Sequence, residues 1–248
     1  MDTQRVALVT GGMGGLGEAI CRGLHETRYR VVTTCSPGND HVGAWLETQK
    51  NDGFEFAAYR VDVTDYESCQ KSVMQILGDV GRIDVLVNNA GITRDATLKK
   101  MSPEDWRAVL ATNLDSVFNM TRPVMPGMME NHWGRIINIS SVNGQKGAFG
   151  QTNYAAAKAG MHGFTKSLAL EVASKGITVN TISPGYLRTK MVTAIPKDIL
   201  ESKILPEIPM GRLGEPEEIA SLVKYLCSDE AGFLTGANIA MNGGQHMQ

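Results

Sequence analysis

Arg5-Val-Ala-Leu-Val-Thr10 runs directly into Gly11-Gly-Met-Gly-Gly15-Leu-Gly17, and a helix-like pattern follows from Glu18 to Glu26. The apolar, β-branched run reads as a buried strand and the glycines as a turn that opens a helix. Together they present bare backbone N–H groups and a helix N-terminus to a phosphate anion. Gly11 suits the tight turn, Gly15 the close approach of a pyrophosphate, and Gly17 the packing of helix on strand. Glycine-rich letters alone also occur in flexible loops. Here the strand before and the helix after make the segment a nucleotide-binding turn.

Outward from that turn, apolar runs alternate with helical patterns. Strands are expected at 5–10, 29–34, 56–61, 83–88, 134–140, 176–182 and 237–240. Helical periodicity lies near 15–27, 41–52, 66–79, 103–130, 152–174 and 215–228. Strands that are continuously apolar, with helices between them, argue a parallel sheet covered on both faces. Helix starts are marked by Ser102-Pro103-Glu104 and by Gly214-Glu215-Pro216-Glu217. Pro123 and Pro126 each remove a helix hydrogen bond, so the 103–130 helix is expected to kink or break there. No internal repeat, low-complexity tract or linker divides the chain.

The composition sets bounds on function. A chain of 248 residues can bury a large core as one α/β domain. A formal net charge of −2 gives no steering toward nucleic acid or an anionic membrane. No apolar stretch reaches the roughly 18 residues of a membrane span, and Met1-Asp-Thr-Gln-Arg5 lacks the apolar core of a signal peptide. Cys21, Cys35, Cys69 and Cys227 form no C-x-x-C pair and no metal-ligand spacing, so they read as reduced cysteines of a cytoplasmic protein, with no metal.

Tyr154-Ala-Ala-Ala-Lys158 carries the chemistry. Residues four apart share a helix face, so phenol and ammonium project together. A phenol with a pKa of about 10 is a poor acid at neutral pH, and a neighbouring ammonium lowers that value. Ser141 lies thirteen residues before the tyrosine, at the end of an expected strand. Taken singly, a Tyr–Lys pair is a solvated helix edge and Ser141 a strand-end cap. In company with the glycine turn they make a carbonyl-reducing site.

With these pieces placed, nearly the whole chain resembles the short-chain dehydrogenase/reductase family. The glycine motif stands as Thr10-Gly-Gly-Met-Gly-Gly-Leu-Gly17, the Asn-Asn-Ala-Gly signature as Asn88-Asn89-Ala90-Gly91, and the Pro-Gly turn as Pro184-Gly185. The catalytic set matches Asn113, Ser141, Tyr154 and Lys158. The resemblance implies a Rossmann-type, doubly wound, seven-stranded parallel sheet with helices on both faces, in a single domain over 1–248. It implies that Ser141 holds a substrate carbonyl and that Tyr154 protonates its oxygen while a nicotinamide hydride attacks the carbon. Lys158 would bind the nicotinamide ribose and depress the Tyr154 pKa, and Asn113 would anchor a water that relays protons to Lys158. Cofactor contacts are implied at Gly11, Gly12, Gly15, Leu16, Gly17, Ser36, Asp62, Val63, Asn89, Ala90, Gly91, Tyr154, Lys158, Pro184, Gly185 and Thr189, with Asp62 against the adenine.

Within the family, Ser140 to Tyr154, Gly91-Ile-Thr-Arg-Asp95, Ser183-Pro-Gly-Tyr186 and Asn242-Gly-Gly-Gln-His-Met247 resemble acetoacetyl-CoA reductases of polyhydroxyalkanoate biosynthesis. That implies reduction of acetoacetyl-CoA to (R)-3-hydroxybutyryl-CoA, with substrate contacts at Asp95, Ser141, Phe149, Gln151 and Tyr186. Arg94, Lys99, Lys100, Arg188 and Lys190 offer cations for the phosphates of coenzyme A. The same cations would suit an acyl carrier protein, so 3-oxoacyl-ACP reductase is the alternative. A non-catalytic nucleotide-binding scaffold is the alternative of a different class. The resemblance also implies a homotetramer, with helices 103–130 and 152–174 at one interface and the C-terminal segment at another, and a substrate lid at 186–212.

The cofactor reading departs from that resemblance, which implies NADPH. After the second strand the chain reads Thr33-Thr-Cys-Ser-Pro-Gly-Asn-Asp-His-Val42, and no Arg or Lys lies between Arg30 and Lys50. A 2′-phosphate there would lack charge-assisted partners. Nor does an acid end the strand to hold the NAD ribose, although Ser36 and Asn39 suit either form. This segment points to NADH or mixed use, unless a residue distant in sequence such as Arg60 supplies the cation.

Overall fold

The computed structural model describes residues 4–189, 192 and 197–247. Seven strands form one parallel sheet: β1 (Val6–Thr10), β2 (Arg30–Cys35), β3 (Phe56–Arg60), β4 (Val85–Asn88), β5 (Gly134–Ile139), β6 (Ile177–Pro184) and β7 (Asn238–Met241). Their spatial order is β3-β2-β1-β4-β5-β6-β7, and all neighbours pair parallel. The expected fold class is the observed one, and every expected strand is present within two residues of its bounds.

The reason shows in β1. Ala7 and Val9 pack into one apolar cluster, with Ile20 and Leu24 of α1 (Gly15–Glu26) and Val223 and Leu226 of α8 (Pro216–Cys227). Val6 and Leu8 pack into the opposite one, with Val73 and Ile76 of α3 (Tyr66–Val80), Met120 of α5 (Ser116–Glu130) and Val172 of α7 (Thr152–Val172). A strand buried on both faces must be apolar at every position, hence the unbroken run in the sequence. Each fully buried Val, Leu, Ile or Met here contributes about 1.5–3 kcal/mol of burial. α2 (Val42–Asn51) covers the β3 edge, and α4 (Pro103–Leu110) precedes α5.

Helix ends follow local chemistry. Asp65 caps α3 by accepting from Glu67 N and Ser68 N, and left-handed Gly81 stops it. Ser102 caps α4 by accepting from Asp105 N at 3.0 Å. At the start of α8, Glu218 accepts from Glu215 N at 2.8 Å.

The 103–130 helix breaks, but not at its prolines. A π-turn over Ala111–Asp115 separates α4 from α5, while α5 runs unbroken through Pro123 and Pro126. Met120, Val124 and Met128, all nearly fully buried, form a stripe that pins α5 to the sheet. That packing outweighs the backbone bonds the prolines remove. Two short elements carried no periodic signal: α6 (Asn143–Lys146) and a helical stretch over 197–207. Strand order reverses between β1 and β4, and a crevice opens there at the carboxyl ends of the strands.

Candidate active site

Two turns meet in that crevice and are stitched together. Gly11 leaves β1 at φ +65°, a conformation that favours glycine. Gly12 N donates to Thr33 Oγ1 at 2.9 Å, and a Cβ on Gly12 would lie 2.1 Å from the same oxygen. A Cβ on Gly17 would stand 2.4 Å from the Gly11 carbonyl oxygen. Gly14 precedes α1 without a side-chain cap, leaving the helix N-terminus open to an anion. Across the reversal, Thr10 Oγ1 accepts from Asn89 N and Ala90 N, each at 3.0 Å. Asn89 Nδ2 donates to Thr10 O at 2.9 Å. The bare backbone of this cradle fits a dinucleotide pyrophosphate.

The reactive side chains arrive from the other side of the reversal. Ser141 follows β5 and its Oγ accepts from Asn143 N at 3.1 Å. Tyr154 and Lys158 lie on the first turns of α7, and Lys158 Nζ is 5.6 Å from the centre of the phenol ring. Gly144 of α6 packs so closely on α7 that a Cβ there would be 2.9 Å from the Lys158 carbonyl carbon. Lys158 is 2% exposed, and its Nζ donates to Ile139 O at 2.7 Å. Asn113 sits in the π-turn with no exposed surface. Its Oδ1 accepts from Ile92 N at 2.9 Å and its Nδ2 donates to Ile92 O at 2.8 Å. Cradle and reactive cluster line one cleft of about 660 Å³.

A profile of the short chain dehydrogenase family matches residues 5–200. The chain belongs to that family. The acetoacetyl-CoA reductase of Cupriavidus necator is 56% identical over 99% of both chains. The nodulation protein G of Azospirillum brasilense is 54% identical over 99% of this chain and 100% of its own. A 3-oxoacyl-[acyl-carrier-protein] reductase of Vibrio harveyi is 45% identical over 98% of each.

In this short-chain dehydrogenase, burial controls the electrostatics of the reactive pair. Lys158 is pushed down to about 7 by burial. The Tyr154 phenol is raised by burial and by the charge of Asp95, against a hydrogen bond with Ser141 that lowers it. The lysine was expected to depress the phenol. The phenol's own burial, the largest influence on it, leaves it above its ordinary value. The Asn113 side chain has a structural engagement of its own. One amide donor and the carbonyl oxygen are engaged by Ile92, so the side chain is first a brace for the turn after Gly91.

Gly11, Gly15, Leu16, Gly17, Ser36, Asp62, Val63, Asn89, Ala90, Gly91, Pro184, Gly185 and Thr189 line the cleft, as do Ser141, Gln151, Tyr154, Lys158 and Tyr186. Gly12 and Asn113 lie behind its wall. Asp95 stands at the rim, accepting from Gln151 Nε2 at 2.8 Å. Phe149 is not brought to the cleft: it is 93% exposed. Of the expected cations, Arg188 is paired with Glu215 at 2.8 Å and Arg94 lies 3.9 Å from Asp105. Lys190 and positions 191 and 193–196 of the expected lid lie outside the described residues. Thr34, Cys35, Pro37, Ile92 and Thr112 line the cleft without having been singled out. Their only signal was adjacency to a motif. Arg60, flagged as distant, reaches the turn after β2 and donates to Pro37 O at 2.5 Å.

Proposed function

We propose that this enzyme reduces acetoacetyl-CoA to (R)-3-hydroxybutyryl-CoA with a nicotinamide dinucleotide. The observation that carries the reading is the convergence of Ser141, Tyr154 and Lys158 with the glycine cradle in one cleft. The extent of identity to the Cupriavidus necator acetoacetyl-CoA reductase supports the substrate. When bound, the dinucleotide supplies the hydride. Ser141 donates to the keto oxygen, and Tyr154 delivers a proton to it as charge develops there. Lys158 binds the ribose hydroxyls beside the nicotinamide, and Asn113 holds the Ile92 backbone that floors the site. Gln151 and Tyr186 wall a small, partly polar space for a four-carbon acyl group, with Asp95 orienting Gln151. Lys99 and Lys100, both exposed, would supply cations for the phosphates of coenzyme A. Segment 186–212 serves as the lid of one domain.

The test is the initial rate of dinucleotide oxidation with acetoacetyl-CoA against acetoacetyl-ACP. A higher kcat/KM for the CoA thioester supports the reading. Preference for the ACP thioester would move it to 3-oxoacyl-ACP reduction, the activity named for the Vibrio harveyi relative. Dinucleotide binding without turnover of either would leave a scaffold.

The same reading makes the protein a cytoplasmic homotetramer. Leu170 on α7 is 86% exposed and Phe233, before β7, fully so, and such large apolar groups suit subunit contacts. Among the described residues no helix is long and apolar enough to cross a membrane. Sedimentation at micromolar concentration would show a tetramer, and a monomer would overturn that part.

A further inference from the structure

The ribose end of the cleft lacks the residues that usually decide between the two nicotinamide dinucleotides. β2 ends in Cys35 and continues as Ser36-Pro37-Gly38-Asn39, with neither an acid to hold a ribose diol nor a base to hold a phosphate. A cation nonetheless stands beside it, hydrogen-bonded to the Pro37 that lines the cleft. Arg60 is the last residue of β3 and pairs in register with Cys35. Register partners on parallel strands project to the same face, so the guanidinium rises beside the turn that Cys35, Ser36 and Pro37 contribute to the cleft.

Among the described residues one hydrogen bond holds its side chain. Arg60 Nη1 donates to Pro37 O at 2.5 Å, which uses one of five guanidinium donors. The side chain is exposed, and among the described residues it has no carboxylate partner. Asp62, the nearest cleft carboxylate in sequence, is engaged by Thr64 N at 3.0 Å and Thr64 Oγ1 at 2.7 Å. Asp40, four residues beyond Ser36, is exposed and makes no ion pair with Arg60. The charge reaches the end of β2, for it pulls down the Cys35 thiol that burial raises.

We infer that Arg60, delivered from β3 rather than from the segment after β2, recognises the 2′-phosphate of NADP(H) and makes NADPH an accepted cofactor. The inference rests on the dinucleotide reading above and deepens it. A planar guanidinium tethered at one corner is pre-organised to meet phosphate oxygens with its remaining donors. The hydroxyl of Ser36 adds a neutral donor on the same wall of the cleft. β2 itself ends without an acid to repel the dianion, and the nearby Asp62 carboxylate is engaged by Thr64. The reading of residues 33–42 as poor in phosphate partners is correct for that segment, and the partner comes from the neighbouring strand.

The test is equilibrium binding to the full chain, which is independent of turnover. Dissociation constants for NADPH and NADH are measured by fluorescence titration. Those for adenosine 2′,5′-bisphosphate and 5′-AMP are measured by calorimetry. All four are taken for the wild type, Arg60→Gln and Arg60→Lys. NADPH is expected to bind at least as tightly as NADH. Arg60→Gln should weaken NADPH and the bisphosphate about tenfold or more, the size of a lost charge-assisted contact. NADH and 5′-AMP should stay within about twofold, and Arg60→Lys should retain part of the phosphate affinity. Equal losses for both dinucleotides would make Arg60 a brace for the Pro37 turn and overturn the inference. So would an unchanged NADPH affinity, or a wild type that binds NADH more than about tenfold tighter. A chain that bound neither dinucleotide would overturn the cofactor reading itself, and this inference with it.

Discussion

Lys158 Nζ donates to the Ile139 carbonyl oxygen at 2.7 Å, tying the reactive face of α7 to the end of β5. Burial lowers this ammonium from 10.5 to about 7. Between those values the unfolded chain holds a proton that the folded chain has released. Stability from this group therefore rises as pH climbs from about 7 toward 10.5, and the full cost of the buried charge is present below 7. Lys158→Met removes the titration at similar length. The melting temperature of the variant relative to wild type should be highest below pH 7 and should decline as pH rises. A difference independent of pH would locate the effect in packing.

Tyr154 must carry its proton to act as the acid in ketone reduction. Its phenol lies above the ordinary value of 10.0 through burial and the charge of Asp95. Loss of the proton therefore begins only in alkali. The reductive kcat should be flat through neutral pH as far as this group is concerned and fall at high pH, while alcohol oxidation should rise there. Tyr154→Phe should lower kcat by about 10²–10⁴ with dinucleotide binding retained, measured by stopped-flow turnover and fluorescence titration. Full turnover in the phenylalanine variant would remove Tyr154 as the donor.

Gly91 is where the second turn touches the reactive cluster. A Cβ there would lie 2.6 Å from Asn113 Oδ1 and 3.6 Å from Lys158 Nζ. Gly91→Ala should push Asn113 off its paired bonds to Ile92, lower kcat, and cost about 1–3 kcal/mol of stability. Denaturant titration and single-turnover rates check both. Normal activity would mean that the turn relaxes without disturbing Asn113.

Gly17→Ala is the stronger test of the cradle. The added carbon would meet the Gly11 carbonyl oxygen at 2.4 Å and Gly12 Cα at 2.8 Å, both backbone. Neither can yield without moving the turn. Dinucleotide affinity should fall at least about tenfold in calorimetry. Unchanged affinity would place the pyrophosphate elsewhere.

Met120 has no exposed surface and packs with Val6, Leu8 and Ile136 under α5. Met120→Ala should destabilise by about 2–5 kcal/mol in urea unfolding. A smaller loss would show that α5, with its two prolines, collapses onto the space.

The alternation of apolar runs with helical periods determined the seven strands and most helices, because a strand buried on both faces leaves no freedom of composition. Gly11, Gly12 and Gly17 were legible for a related reason: only glycine fits where the backbone turns left-handed or a Cβ would strike a neighbour. Tyr154 and Lys158 were legible from local spacing on one helix. Tertiary structure alone decided what those residues experience. The pKa of Lys158 and of Tyr154 is shifted first by burial under elements far apart in sequence, which no local spacing expresses. The unbroken passage of α5 through Pro123 and Pro126 answers to packing against the sheet, and the π-turn holding Asn113 packs on α7 and is tied to Ile92. Arg60 reaches Pro37 only because β3 lies beside β2 in register. Sequence carries short-range sterics and periodicity directly, whereas desolvation and charge proximity depend on which distant segments the fold brings together.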